Sequence, residues 1–211
     1  MSGTGALTLA AGFAGKIPAR GDFLRAGLPS SFAQPWDDWL AAGLAAARET
    51  LSDGFDEAYM EAPVWRFALA AGAAGPDAAA GVLLPSVDRV GRRFPLTVAL
   101  VLPGADPLGL AADAAWFDAI EDAARGAVEC DTEPDELTAR LAAIAPPELG
   151  FLPERAPLPE GGALQDAWAL IARLAADAAH SLWWTAGAPR VAPHAFVSRG
   201  LPDLAAMMVD Q

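Results

Sequence analysis

GVLLPSVDRVGRRFPLTVALVL, residues 81–102, sets two apolar runs on either side of a short charged loop. Val82, Leu83 and Leu84 on one side, and Val98, Leu100, Val101 and Leu102 on the other, are β-formers without the wide polar stripe of a surface helix. The stretch therefore predicts two short strands joined by a compact loop. Asp88, Arg89, Arg92 and Arg93 cluster around Gly91 in that loop. The chain as a whole carries 14 Lys and Arg against 27 Asp and Glu, a formal net charge of −13. Basic charge concentrated on an acidic protein implies either an ion-paired scaffold or a docking surface.

Upstream of the hairpin, residues 64–69 (VWRFAL) follow Pro63 and alternate aromatic with aliphatic character, predicting a third strand of the same sheet. Residues 7–13 predict a first strand, which ends at a loop from Gly15 to Gly21. From Ser31 the pattern turns helical. Phe32, Trp36, Trp39 or Leu40, and Gly43 or Leu44 share one face, while Asp37 and Asp38 point away. Ser30 or Ser31 is the expected cap, Pro35 is placed in the first turn, and Gly54 marks the far end.

Downstream, Ala112, Trp116, Ile120, Ala123 and Ala127 form one stripe across residues 107–129, predicting a surface helix. Pro134 with Asp135 and Glu136 suits the positive end of another. Residues 146–162, rich in Pro, Gly and Glu, read as a long internal loop. A helix over Leu164, Trp168, Ile171 and Ala175 follows, then strands at Ser181–Thr185 and His194–Ser198, then a short closing helix over Pro202–Met208. Strands at both ends with helices between imply an α/β fold. The expectation is one domain over residues 1–211, with helices on the faces of a mixed, partly antiparallel sheet.

Composition narrows the function. A hydrophobic content of 54% with 19% charged residues excludes a disordered chain. The negative charge is uneven: residues 1–103 hold 8 Lys and Arg against 10 Asp and Glu, and residues 104–211 hold 6 against 17. Such a balance argues against nucleic acid and against anionic membrane. The near-neutral half is where an acidic partner would dock most easily. Cys130 is alone, so no intramolecular disulfide can form, as suits a reducing compartment. No Lys or Arg precedes Lys16, so the basic flank of a signal peptide is missing, and Pro95 and Pro103 bracket the longest apolar run. A cytoplasmic protein without membrane insertion is expected.

Catalytic patterns mostly fail. GFAGKI, residues 12–17, ends like a phosphate loop, but the first glycine of that pattern falls on Ala10 and Ile17 replaces the magnesium-binding hydroxyl. There is no G-x-S-x-G elbow and no paired-Cys metal pattern. His180 and His194 are the only histidines and read as structural or surface residues. The tripeptide Arg20-Gly21-Asp22 reads as a polar turn. Asp22, Asp88 and Arg89 lie in loops at strand ends, where α/β folds build sites. An ion-pair network between two loops is the plain reading. The sharper one is a recognition surface completed by Arg92 and Arg93, since guanidinium groups make planar contacts to carboxylate or phosphate.

GFAGKIPARGDFLRAGLPSSFAQPWDDWL, APVWRFAL, GVLLPSVDRVGRRFPLTVAL, and SLWWT followed by RGLP, in this order and spacing, resemble the TagF family of type VI secretion accessory proteins. The resemblance implies a single-domain, three-layer α/β/α sandwich. It also implies a cytoplasmic, post-translational repressor of type VI secretion that binds the forkhead-associated scaffold protein Fha. A link to a PppA-type phosphatase pathway is implied too, with the phosphatase a separate protein. No catalytic residue, cofactor or metal is implied, so a non-enzyme is expected.

The polar positions matching the family are Lys16, Arg20, Asp22, Asp88, Arg89 and Arg92. With Arg93 they form the candidate partner-binding set. The alternative is a degenerate enzyme acting on a phosphate-bearing ligand near Lys16, Asp22 and Arg89, and a third reading is a structural scaffold subunit. Reversing Arg89 and Arg92 together is expected to spare the fold and weaken partner capture, unless Arg89 pairs with Asp22 in the folded core.

Overall fold

The computed structural model describes residues 10–106, 109, 111, 113–130, 132–147 and 179–209. The opening hairpin lies at the middle of its sheet. Strand β4 (Ala78–Leu84) pairs with β5 (Leu96–Leu102) along its whole length, from Ala78 opposite Leu102 to Leu84 opposite Leu96. Around this pair stand β1 (Gly12–Gly15), β2 (Leu24–Ala26), β3 (Trp65–Leu69), β6 (His180–Thr185) and β7 (His194–Arg199), in the order β2-β1-β5-β4-β3-β6-β7. The sheet is thus α/β in setting but narrower than the mixed sheet expected: every pairing among the described strands is antiparallel. Short loops join β3 to β4 and β6 to β7, and such loops serve antiparallel neighbours. The late strands rejoin the early ones through the pairing of β6 with β3.

Alternation along the central strands feeds two cores. On one face Val82, Leu84, Val98 and Leu100 meet Trp116, Phe117, Ile120 and Ala124 of α3 (Ala114–Glu129) and Leu137 and Leu141 of α4 (Pro134–Ala143). On the other, Trp65, Phe67, Leu83 and Trp183 meet Phe32, Trp36 and Leu40 of α1 (Ser30–Leu51) and Phe55 and Tyr59 of α2 (Phe55–Met60). Helices on both faces of one sheet make the three-layer α/β/α sandwich. Trp36 is the hub of the second core. It is fully buried, its ring lies 6.0 Å from Trp183 at an interplanar angle of 10°, and its Nε1 donates to Thr97 Oγ1 at 2.8 Å.

Several local expectations shift. The first strand runs over Gly12–Gly15, and residues 7–9 lie outside the described residues. Helix α1 begins after Pro29 without a side-chain cap, and Pro35 falls inside it, beyond the first turn and exposed. That helix ends at Leu51 rather than Gly54, because Ser52 adopts a φ of 46° and a short 3-10 turn leads into α2. The second helix exists because Phe55 and Tyr59 fall on one buried face. Helix α3 starts at Ala114, where the Asp113 side chain accepts from Trp116 N at 3.0 Å. No helix forms over Pro202–Met208; the segment is a run of turns. Two indoles hold carbonyls of this segment: Trp39 Nε1 donates to Pro202 O at 2.8 Å and Trp65 Nε1 to Met207 O at 3.0 Å. The helix expected near Trp168, and the loop beyond Pro147, lie outside the described residues.

Candidate functional site

Proline at both ends stops the strands of the hairpin, and one buried carboxylate holds the loop between them. Asp88 is 2% exposed. Its Oδ1 accepts from the backbone N of Val90 at 3.0 Å and of Arg92 at 2.9 Å. Its Oδ2 accepts from Lys16 Nζ at 2.8 Å and Arg92 Nε at 2.6 Å. Burial pushes the carboxyl up, but the bonds from Lys16, from Arg92 backbone and side chain, and from Val90 outweigh it and hold Asp88 below its ordinary 3.8. Gly91 turns the loop with a φ of 81°, a left-handed conformation that favours glycine. Its N donates to Asp88 O at 2.8 Å.

The base of the loop is pinned from two sides. Ser86 Oγ donates to Lys16 O at 2.7 Å, and Tyr59 Oη donates to Ser86 O at 2.8 Å while accepting from Ser86 N at 3.1 Å. Burial raises the Tyr59 hydroxyl far above its ordinary 10.0, with Ser86, Arg93 and Arg48 offsetting only part. The loop is also latched to the turn after Lys16. Arg89 N donates to Arg20 O at 2.9 Å, and Arg92 Nη2 donates to Gly21 O. Phe23 meets Phe94 edge-on, with ring centroids 5.2 Å apart.

The seven residues singled out in the sequence separate into four groups. Lys16, Arg92 and Asp88 form the hub. Arg93 leaves for the opposite side, where its Nη2 lies 2.9 Å from Asp56 Oδ2 on α2, and its Nε is buried without a partner. Arg20 reaches Glu133 at 2.6 Å, with both side chains about half exposed. Asp22 and Arg89 are exposed, and no ion pair joins them. The conditional pairing of Arg89 with Asp22 does not occur; Arg92 and Lys16 pair with Asp88 instead. Reversing Arg92 would set a carboxylate against that buried acid, so the double reversal is expected to destabilise the fold.

Among the described residues, only Arg48, Arg89 and Arg199 lack a carboxylate partner, and Arg48 lies over the Phe55 ring at 4.8 Å. Beside Arg89, Val90 is 69% exposed, and on the neighbouring turn Phe23 is 40% exposed. Sequence reasoning passed over both. A valine between an arginine and a glycine in a charged loop was the available signal for Val90. Nothing marked Ser86 or Tyr59.

None of the seven lines the 30 Å³ apolar cavity between Tyr59, Trp65 and Met208, nor the open groove of about 700 Å³ beside His194, Phe196 and Val209. His180 and His194 sit at opposite ends of the β6–β7 pair. No three His, Cys, Asp or Glu side chains among the described residues could together hold a metal ion. No described helix is long and apolar enough to cross a membrane.

Residues 12–144, which include every one of the seven, match the TagF N-terminal domain, a type VI secretion system-associated family. The chain belongs to the TagF family. A crystal structure of PA0076 from Pseudomonas aeruginosa PAO1 has the same fold, with a TM-score of 0.80 and 36% sequence identity. That likeness covers 96% of this chain and 95% of the other. A comparison with curated proteins gave no match. In this TagF-family chain the matched span holds both latched loops together with β1 to β5 and α1 to α4.

Proposed function

We propose that the chain represses type VI secretion after translation, by binding an Fha-type forkhead-associated scaffold protein in the cytoplasm, and that it does so by occupancy without turnover. The latched loops over residues 20–23 and 88–93 are the docking surface. The observation that carries this reading is Arg89: on a chain of net charge −13 it is exposed, unpaired, and adjacent to an exposed Val90. A structural cation is normally paired with a carboxylate, as Lys16 and Arg92 are with Asp88. An enzyme would gather its titratable groups around a pocket. Here the convergent groups neutralise one another in a loop scaffold, which favours binding over catalysis. A PppA-type phosphatase acts in the same pathway.

The test is complementation of a deletion strain with wild type, Arg89→Glu or Val90→Asp. Deletion is expected to raise secretion and wild type to lower it. Each folded variant is expected to leave secretion high and to lose Fha co-purification. Full repression by folded variants would remove the loops from the mechanism, and loss of secretion on deletion would replace the repressor with a scaffold subunit.

A further inference from the structure

We infer that the latched loops receive an acidic segment of another protein that carries an apolar side chain between its carboxylates. This rests on the docking role proposed for the loops and specifies the chemistry they select. Three exposed guanidinium groups, those of Arg20, Arg89 and Arg92, belong to this surface. Lys16 and Arg92 share the single carboxylate of Asp88, so the hub keeps a positive charge in excess. Arg20 holds Glu133 only through a half-exposed pair, which solvent screens and a better-placed carboxylate displaces at little cost. Arg89 has no carboxylate to give up.

The same loops also expose apolar side chains. Val90 is 69% exposed, and Phe23 is 40% exposed even with its ring edge against Phe94. Guanidinium groups flanking an apolar contact suit a ligand with carboxylates flanking an apolar side chain: the ion pairs orient the ligand and the apolar contact excludes water around them. The net negative charge of the chain disfavours such a segment elsewhere and steers it toward exposed guanidinium groups such as these. Asp22 and Glu133 are the acids of the same surface. Glu133 pairs with Arg20 until a ligand carboxylate displaces it, and Asp22, exposed and unpaired, limits which positions of the ligand can be acidic.

The test uses the full chain and a fluorescent peptide with a Leu between pairs of Glu, against the same peptide with Gln in place of Glu. Wild type is expected to bind the acidic peptide about 10-fold more tightly, a preference that weakens with added salt. Arg89→Glu is expected to abolish the preference and Asp22→Asn to strengthen it. Equal binding of the two peptides, or a preference that survives Arg89→Glu in a folded variant, overturns the inference. So does a wild-type dimer that Arg89→Glu dissolves, because the occupant is then a second copy of this chain. Capture of Fha is measured beside it. Capture lost in Arg89→Glu without any peptide preference leaves the docking role standing and sinks the acidic-segment inference. A peptide preference without Fha capture keeps the inference and sinks the partner assignment.

Discussion

Lys16 and Asp88, 72 positions apart in sequence, are joined by a 2.8 Å hydrogen bond whose acceptor side chain is fully buried. That bond ties the turn after β1 to the loop after β4, and the same carboxylate also closes its own loop through Arg92. Asp88→Asn replaces an acceptor for four donors with an amide that presents two hydrogens to Lys16 and Arg92. A drop in melting temperature on the order of 5–10 °C at neutral pH is expected. Thermal melting followed by circular dichroism checks it, and an unchanged transition would mean the hub is not structural.

The pH dependence of that difference has a fixed sign. The folded Asp88 carboxyl lies below its ordinary 3.8, so its contribution is fully present above that value and is lost as pH falls toward the folded value. Wild type and Asp88→Asn should therefore differ by a constant amount from neutral pH down to about pH 4, and the gap should narrow below it. Melts across this range decide the matter. A gap that widened on acidification would contradict the assigned ionisation.

Arg89 and Arg92 should behave differently although both are loop arginines. Arg89→Glu touches no ion pair and should change stability by no more than about 0.5 kcal/mol. Arg92→Glu removes the Nε bond to Asp88, removes the latch to Gly21 O and adds a second carboxylate beside a buried one. It should melt well below wild type. Differential scanning calorimetry of the two single variants separates them, and equal melting temperatures would refute the division of roles.

The hairpin was legible because β4 and β5 are buried on both faces, which leaves near-continuous apolar runs in the sequence. The layers followed from strands at both ends of the chain. Ion-pair partners were not legible. Arg92 and Arg93 are adjacent and chemically identical, yet the isolated bridge between Val87 and Arg93 makes this part of the loop strand-like, and successive side chains there point to opposite faces. One arginine therefore meets Asp88 and the other Asp56. The turns over Pro202–Met208 escaped for a related reason: their carbonyls are held by Trp39 and Trp65, contacts that no local pattern encodes. At the candidate surface, charge marked the loop but not Val90, whose exposure no local pattern encodes.

Tyr59 offers an alkaline counterpart to Asp88. Its Oη bridges Ser86 O and Ser86 N, and Tyr59→Phe leaves the buried Ser86 N without an acceptor, at a cost of about 1–3 kcal/mol. The folded hydroxyl lies far above the ordinary 10.0, so the unfolded chain ionises first as pH rises. Stability is then full below about pH 10 and falls above it. Urea unfolding at neutral and alkaline pH should show wild type losing its advantage over Tyr59→Phe as the solution becomes more basic. A constant advantage across that range would exclude the Tyr59 hydroxyl as the titrating group.

Gly81 sits at the centre of β4, directly opposite Phe67 on β3 and Ala99 on β5. A Cβ there would stand 2.2 Å from Val98 O and 2.8 Å from Phe67 Cζ. The second contact is a side-chain tip and can be trimmed, whereas the first is backbone of the paired strand and cannot move without opening the ladder. Gly81→Ala should therefore cost about 3 kcal/mol. Adding Phe67→Leu should not restore the loss, because it relieves the ring contact and leaves the carbonyl in place, while removing a ring from the core around Trp36 and Trp183. Chemical denaturation of the single and double variants measures both quantities. Recovery to wild-type stability in the double variant would show that ring packing, and not the close approach of β4 and β5, is what requires glycine at this position.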